Sequence, residues 1–407
     1  MYKQILHTPE GVRDIYNGEC RRKQYIQETL HQVLTGYGYE DIQTPTFEYF
    51  DVFSREVGTV PSRELYKFFD REGNTLVLRP DVTPSIARAV AKYFAPEDMP
   101  ARLCYMANTF INSSDFQGRL KETTQIGAEF IGDGSAEADA ELLALVVESL
   151  LKTGLKEFQV SVGHADFFKS LLKEADLPEE MELELREFIS NKNMFGVREL
   201  LDAAELSEQL KEALVKVPDL FGSVEILDAA ESCAVSEEAK ASLQRLRRIY
   251  ELLTFYGYEK YITFDLGVVS KYQYYTGIIF QAYTYGTGEP IAKGGRYDTL
   301  MDHFGKPAPA IGFVCVADRL LTALNRQNIK LDVDRPLTLL LYYPEESRKA
   351  IACAGELRSQ GGPVELCCMA QDRTVDSYRD YAARKGTTRL CYYKDGNLVA
   401  EFLSTEQ

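Results

Sequence analysis

The chain has 407 residues, 45% of them apolar and 27% charged, which is ordinary globular composition with length for two or three domains. Its 62 acidic and 46 basic residues leave a formal net charge of −16, and Lys and Arg form no long run, so the long-range field repels nucleic acid. No stretch is long and apolar enough to cross a bilayer, and Met1 to Asp14, with His7, Glu10, Arg13 and Asp14, reads neither as a secretory signal nor as a transit peptide.

The eight cysteines (Cys20, Cys104, Cys233, Cys315, Cys353, Cys367, Cys368 and Cys391) include no Cys-x-x-Cys pair, and His7, His31, His164 and His303 are not spaced like ligands. Tetrahedral zinc sites are usually built from short-spaced pairs. Reduced thiols in a cytoplasmic protein, with no metal, are therefore expected.

In chain order, Glu19 to Gly36 places Tyr25, Ile26, Leu30, Val33 and Leu34 at helical spacing and stops at a glycine, which tolerates a left-handed helix end. Tyr39 to Thr44 reads as a short strand, and Val77 and Leu78 close another extended run before the Arg79-Pro80 turn. Pro84 falls in the first turn of a helix reaching Phe94, with Thr83 as its expected N-cap. Arg102 to Phe110 and Thr123 to Ile131 read as buried strands around a polar loop, Asn112 to Lys121, and so predict a long antiparallel hairpin. An amphipathic helix over Ala136 to Lys152 and a strand over Phe158 to Val162 follow.

From Ala165 to about Gly257, Glu, Leu and Lys dominate and strand patterning vanishes, so a helical insertion is expected. Its end, Leu253-Thr254-Phe255-Tyr256-Gly257-Tyr258-Glu259, echoes Leu34-Thr35-Gly36-Tyr37-Gly38-Tyr39-Glu40, as two units of helix, stop and strand. Strand pattern returns at Tyr261 to Leu266, Tyr274 to Tyr283 and Ile311 to Cys315, before a helix over Ala317 to Asn325. A β-α-β-α-β series then runs from Leu337 to Tyr393. The reading is an α+β protein: a core of residues 1–164 and 258–330, a helical insertion at 165–257, and a small α/β domain at 333–407.

Several segments occur in an order that resembles the histidyl-tRNA synthetase branch of the class II aminoacyl-tRNA synthetases. They begin with Thr8-Pro9-Glu10-Gly11-Val12-Arg13-Asp14, then Thr44-Pro45-Thr46-Phe47-Glu48, similar to the family's dimer-forming motif, and Leu78-Arg79-Pro80-Asp81-Val82-Thr83. Gly118-Arg119 with Glu122, Gln125, Gly127 and Glu129 resembles the second half of the motif 2 hairpin. Tyr274-Tyr275-Thr276-Gly277, Gly294-Gly295-Arg296-Tyr297-Asp298, and Gly312-Phe313 with Asp318-Arg319-Leu320 complete the series. Each piece is weak alone; their order over roughly the first 330 residues is what carries the likeness. The resemblance implies an antiparallel sheet flanked by helices, a pocket on one sheet face, a homodimer, and a terminal domain similar to a shortened anticodon-binding domain, which further disfavours tRNA as a ligand.

The resemblance also places amino-acid contacts at Asp81, Thr83, Gln125 and Glu129. Asp81 and Glu129 have the chemistry to accept charge-assisted hydrogen bonds from an α-ammonium, while Thr83 and Gln125 supply neutral partners. Tyr274, Tyr275 and Tyr297 offer flat walls and hydroxyls suited to an imidazole. For the tyrosines, plain packing on a strand explains the pattern equally well. Acidic groups on otherwise apolar elements, as Asp81 and Glu129 are, point to function.

The second task of such enzymes is to stabilise charge on the ATP α-phosphate. After Phe110 the family carries an arginine for this purpose, where this chain has Ile111-Asn112-Ser113. Counting back from Tyr275 puts Ser270 where the histidine enzymes have another; Lys271 is adjacent, but neighbours on an extended segment point to opposite faces. One arginine at a phosphoryl-transfer site is worth about 10³ to 10⁵ in rate, so losing two predicts negligible activation and no catalytic residue. Arg119 and Arg319 persist; their plain alternatives are a solvated loop residue and a partner for a nearby carboxylate.

A kept pocket with lost chemistry is, within this family, similar to the subunits that regulate the short-form ATP phosphoribosyltransferase. That likeness implies a hetero-oligomer with the catalytic subunit, histidine as effector and no cofactor. An active synthetase with an altered charge set, or a free-standing amino-acid-binding module, are the alternatives.

Overall fold

Apolar residues at helical spacing bury one stripe of the first helix, α1 (Asn17–Gly36), where Ile26, Leu30, Val33 and Leu34 are buried. The left-handed position that follows is Gly38, at φ +83°, two residues past the expected glycine. It turns the chain into β1 (Glu40–Asp41). The computed structural model describes residues 5–53, 60–113, 119–267, 275–331, 333, 337–394 and 397–403, and the chain divides into two units, 1–331 and 332–407.

Strands β2 (Phe47–Tyr49), β3 (Lys67–Phe69) and β4 (Thr75–Leu78) pair as a small antiparallel sheet of order β2-β4-β3, of which the sequence pattern shows only the end of β4. Helix α2 (Thr83–Tyr93) carries Pro84 in its first turn, but Val82 occupies the N-cap; the Thr83 hydroxyl is turned to Glu129 instead of capping. The expected hairpin is β5 (Ala101–Phe110) and β6 (Glu122–Ile131), antiparallel in register from Ala101 opposite Ile131 to Phe110 opposite Glu122.

Helix α3 (Ala136–Lys152), capped by the Ser135 hydroxyl, leads to β7 (Phe158–His164). Helices α4 (Ala165–Ala175), α5 (Glu179–Ser190), α6 (Met194–Asp202), α7 (Glu208–Lys216), α8 (Ile226–Glu231) and α9 (Glu237–Tyr256) follow. One strand interrupts them, contrary to expectation: β8 (Phe221–Gly222) pairs with β9 (Ile262–Asp265). Two residues are too few for alternation to show. Strand β10 (Ile278–Thr284) begins later than expected, with Tyr275 before it in irregular backbone and Tyr274 outside the described residues. β11 (Ala292–Arg296), β12 (Ala310–Val316) and α10 (Ala317–Arg326) complete the unit.

Among the described residues the central sheet has the order β1-β5-β6-β12-β11-β10-β7-β9-β8. It is antiparallel except for β1 with β5 and β7 with β9. Those two parallel pairs are made by the two echoing segments, each a helix, a left-handed glycine (Gly38, and Gly257 at φ +74°) and a strand. Tyr37 and Tyr258, beside the two glycines, donate to the same carboxylate, Glu148 on α3, at 2.7 and 3.3 Å.

Alternation divides the sheet. One face packs Cys104, Ile126, Ala128, Phe130, Phe280 and Phe313 into the main core with α1, α3 and α9. The other carries Leu103, Tyr105, Ile131 and Ile279 into a smaller cluster with Val82, Ile86, Tyr275 and Tyr297. Gln125 and Glu129 share the parity of Ile131 and so lie on this second face.

The second unit has β13 (Leu337–Tyr342), α11 (Ser347–Ser359), β14 (Val364–Cys368), α12 (Val375–Arg384), β15 (Thr387–Lys394) and β16 (Asn397–Phe402). Its sheet order is β14-β13-β15-β16, with β16 an unexpected antiparallel edge. Among the described residues no helix is long and apolar enough to cross a membrane.

Arg296, from the Gly-Gly-Arg-Tyr-Asp segment, turns away from the pocket into a buried ion network. Its Nε and Nη2 donate to Asp139 Oδ1 at 2.9 and 2.6 Å, and Arg245 Nε donates to Oδ2 at 2.6 Å. Asp139 is fully buried and Arg296 is 3% exposed. Replacing Asp139 by Ala removes the buried carboxylate that Arg296 and Arg245 share and leaves Arg296 only the 3.2 Å contact to Asp298 and backbone carbonyls, so a loss of about 3 to 5 kcal/mol in urea unfolding is expected. A loss below about 1 kcal/mol would show that Asp298 and those carbonyls satisfy Arg296 without Asp139.

Candidate functional site

Register assembles the site. Glu129 on β6 lies between Leu103 on β5 and Gly312 on β12, and Gly312 opposes Gly295 on β11. A Cβ at Gly312 would stand 1.7 Å from Glu129 Oε2, one at Gly295 2.6 Å from the Tyr275 ring, and one at Gly127 2.5 Å from the Tyr105 hydroxyl. The space beside Glu129, Tyr105 and Tyr275 therefore exists because the neighbouring strands carry glycine.

Glu129 is 1% exposed. Thr83, on the first turn of α2, donates to its Oε1 at 2.6 Å, and Tyr297 donates to its Oε2. Burial pushes its pKa up to about 8; the Thr83 and Tyr297 hydroxyls oppose that rise and the charge of Asp81 adds to it. Among the described residues, no lysine or arginine is one of the groups that act on it. Asp81, just before α2, accepts from the Val82 N–H at 2.7 Å and is half-buried. Two carboxylates therefore face one cleft between α2 and the sheet.

Buried acceptors and donors are left over on the same face. The Gln125 Oε1 has no partner among the described residues, and neither does the Tyr105 hydroxyl, which lies beside Thr83 without hydrogen-bond geometry. Leaving such a group unmade costs about 1 to 3 kcal/mol, which a polar ligand recovers. Tyr275 is 7% exposed, its ring over Gly295 and its carbonyl accepting from Lys169 Nζ at 2.6 Å.

Of the residues singled out from sequence, the structure joins Thr83, Glu129 and Tyr297 by direct hydrogen bonds, sets Asp81 and Tyr275 near them, and puts Gln125 on the same sheet face, four residues before Glu129 on β6. Tyr274 lies outside the described residues. Sequence reasoning missed Tyr105, and it quoted Gly295 and Gly312 as motif residues without a role at the site. The available signal for Tyr105 is its place opposite Gly127 in the hairpin, a large side chain facing an absent one.

On the phosphate side, Ile111 and Asn112 donate backbone N–H groups to Lys121 and Glu64 carbonyls, and these positions carry no cation. Ser270 and Lys271 lie outside the described residues. Arg119 and Arg319 both grip Glu289: Arg119 at 2.8 Å, and Arg319 through Nη2 while its Nη1 donates to the Pro290 carbonyl at 3.0 Å. Arg319 thus pairs with a carboxylate, and Arg119 is more than a solvated loop residue. Arg79, of the Leu-Arg-Pro-Asp segment, is buried and donates to the carbonyls of Asn108, Thr44 and Pro45, so it ties the chain before β2 to β5.

A mostly antiparallel sheet with a long central hairpin, helices on its apolar face and a polar cleft on the other defines the class II aminoacyl-tRNA synthetase fold. Comparison with known proteins narrows the class. The family model for histidyl-tRNA synthetase matches residues 11–320. The ATP phosphoribosyltransferase regulatory subunit of Acetivibrio thermocellus is 39% identical over 381 residues, covering 94% of this chain and 91% of that one. The subunit of the same name from Ruminiclostridium cellulolyticum is 34% identical over 402 residues, 99% of this chain and 96% of its own. Among solved structures, an ATP phosphoribosyltransferase regulatory subunit/histidyl-tRNA synthetase from Bacillus halodurans superposes with a TM-score of 0.84 at 35% identity, covering 93% and 96% of the two chains. The histidyl-tRNA synthetase of Nostoc sp. PCC 7120 gives 0.80 at 19% identity over 98% and 97%, a likeness of fold alone. The chain belongs to the histidyl-tRNA synthetase family and, within it, stands with the ATP phosphoribosyltransferase regulatory subunits.

The raised pKa of Glu129 sets a pH dependence. Between the ordinary 4.5 and about 8 the folded chain holds a proton that the unfolded chain has released, so folding stability falls as pH rises through that window. Glu129→Gln removes this slope. The variant is expected to gain on the wild type by up to a few kcal/mol across the window in urea unfolding, since a tenfold change in proton affinity is worth about 1.4 kcal/mol. Parallel curves for the two proteins would refute the buried, unpaired carboxylate.

Proposed function

We propose that this chain is a histidine-sensing subunit of ATP phosphoribosyltransferase without adenylation chemistry of its own. In this reading it assembles with the short-form catalytic subunit, is required for its turnover in the first step of histidine biosynthesis, and conveys feedback inhibition. The observation that carries the reading is Glu129: a buried carboxylate with hydroxyl donors, a second carboxylate nearby and, among the described residues, no cation acting on it. Such a site favours a ligand that brings its own positive charge and N–H donors.

Histidine supplies both. Its α-ammonium meets Asp81, Glu129, Thr83 and Gln125, while Tyr275 and Tyr297 wall the imidazole. Tyr105 adds a hydroxyl. Neutral residues at 111 and 112 supply no charge for an adenylating phosphate, and Glu289 already occupies Arg119 and Arg319. Ligand binding then biases conformation rather than chemistry, because Thr83 opens α2 and Tyr297 follows β11, so two elements read the state of one carboxylate.

A homodimer through the segment around Thr44 to Glu48 is supported by the three-stranded sheet, which exposes Phe47, Tyr49 and Phe69. Residues 165–257 act as an insertion in the synthetase-like core, and 333–407 as a shortened relative of an anticodon-binding domain.

The test is to mix the purified chain with the catalytic subunit and record turnover with and without histidine. Turnover is expected to appear on mixing and to fall with histidine; Glu129→Gln should weaken inhibition by about tenfold or more, the worth of a charged hydrogen bond, while assembly persists. Turnover indifferent to the chain, or ATP–pyrophosphate exchange driven by histidine, would overturn the reading.

A further inference from the structure

Away from the pocket, on the core side of β5, three metal-ligating side chains from distant parts of the sequence converge. His31 Nε2 lies 2.8 Å from Asp41 Oδ1, and Cys104 Sγ lies 3.6 Å from the same oxygen. The three ligand atoms all fall within 4.8 Å of one another, and among the described residues no other group of His, Cys, Asp and Glu meets that condition. We infer that His31, Asp41 and Cys104 form a zinc site that staples the end of α1 and strand β1 to β5.

The fold builds this site. Parallel pairing of β1 with β5 sets Asp41 directly beside Cys104, so their side chains leave the sheet on the same face. That face is covered by α1, whose last turns bring His31 over the pair. Cys104 is fully buried, while the side chains of His31 and Asp41 are 30% and 67% exposed. The cluster is therefore a socket with a buried thiol at its base and an open mouth, which gives an ion a path in.

Ligand type and spacing both suit zinc. Zinc takes thiolate, imidazole and carboxylate at about 2.0 to 2.3 Å in tetrahedral geometry, which separates ligand atoms by roughly 3.3 to 3.8 Å. His31 and Asp41 need to part by less than about 1 Å, the Cys104 to Asp41 spacing already fits, and His31 and Cys104, within 4.8 Å of each other, need to adjust by about 1 Å at most. The Tyr39 carbonyl, 3.9 Å from Cys104 Sγ, or a water completes the fourth position. On binding, the Cys104 S–H bond breaks, its proton leaves to solvent, and sulfur bonds the metal as thiolate; no oxidant or reductant takes part. Hard cations such as magnesium or calcium are disfavoured by the sulfur and nitrogen donors.

The site is independent of the regulatory reading, since it uses none of the pocket residues. To test it, the full chain is stripped with a chelator and titrated with cobalt(II). One equivalent is expected to give tetrahedral d–d bands and a thiolate-to-cobalt charge-transfer band, both abolished by one equivalent of zinc. Cys104→Ser should remove the charge-transfer band. Because Cys104 is buried, the partly exposed variants His31→Gln and Asp41→Asn carry the decision if the serine variant does not fold, each expected to weaken cobalt binding about tenfold or more. Absence of the charge-transfer band at one equivalent, or unchanged affinity in His31→Gln, overturns the proposal.

Discussion

A carboxylate placed inside a sheet and held by two hydroxyls, those of Thr83 and Tyr297, is the constraint around which this molecule is arranged. Glu129 can stand there only because Gly312 on the adjoining strand leaves its oxygens room, and because Thr83 gives up helix capping to donate to it. The N-terminus of α2 is thereby locked to the middle of the hairpin. Tyr297 is held by the same carboxylate from the other side. Elements far apart in sequence thus share one polar contact, and a change in its protonation or ligation reaches all of them.

The reverse side of the sheet supplies the rigidity that such a site needs. There positive charge is spent on architecture: Arg296 and Arg245 close on Asp139, and Arg102 on Glu141. Arg79 likewise answers three backbone carbonyls, and Arg119 and Arg319 share Glu289. Cations persist around the cleft, but each of these is engaged elsewhere. The result is a site with two carboxyl groups, Asp81 and Glu129, in a well-fastened frame.

Much of the frame was legible in the sequence because its signals are local. The hairpin of β5 and β6 shows as two apolar runs about a polar loop, and α1, α3 and α10 show as periodic stripes. The echo of Leu34–Glu40 in Leu253–Glu259 correctly marks two helix-stop-strand units, although only the structure reveals that both feed parallel strands. Where pattern was too short it failed: β8 is two residues long and β16 is largely exposed, so neither alternates against a core. Thr83 looked like a cap because its chemistry suits capping; a long-range acceptor, invisible from sequence, won it. Tyr105 and the spatial role of the glycines were hidden for the same reason, since cross-strand pairing depends on register, and so was the convergence of His31, Asp41 and Cys104.

Loss of one function from such a pocket follows from how its two tasks are divided in space. In the proposed reading, amino-acid contacts sit at the start of α2, on β6 and just past β11, elements already bound together by Glu129, whereas the family likeness puts the positive charge for adenylation past Phe110 and before Tyr275. The first set is coupled to the fold, so changing any member disturbs packing. Of the second set, Ile111 and Asn112 fit at the strand end with their backbone bonds intact. Chemistry could therefore be removed without dismantling the binding face. In the proposed reading, occupancy of that site by a cationic ligand changes the balance at Glu129 and, through Thr83 and Tyr297, the seating of a helix and a strand: binding energy with no reaction to drive, available to bias an assembly.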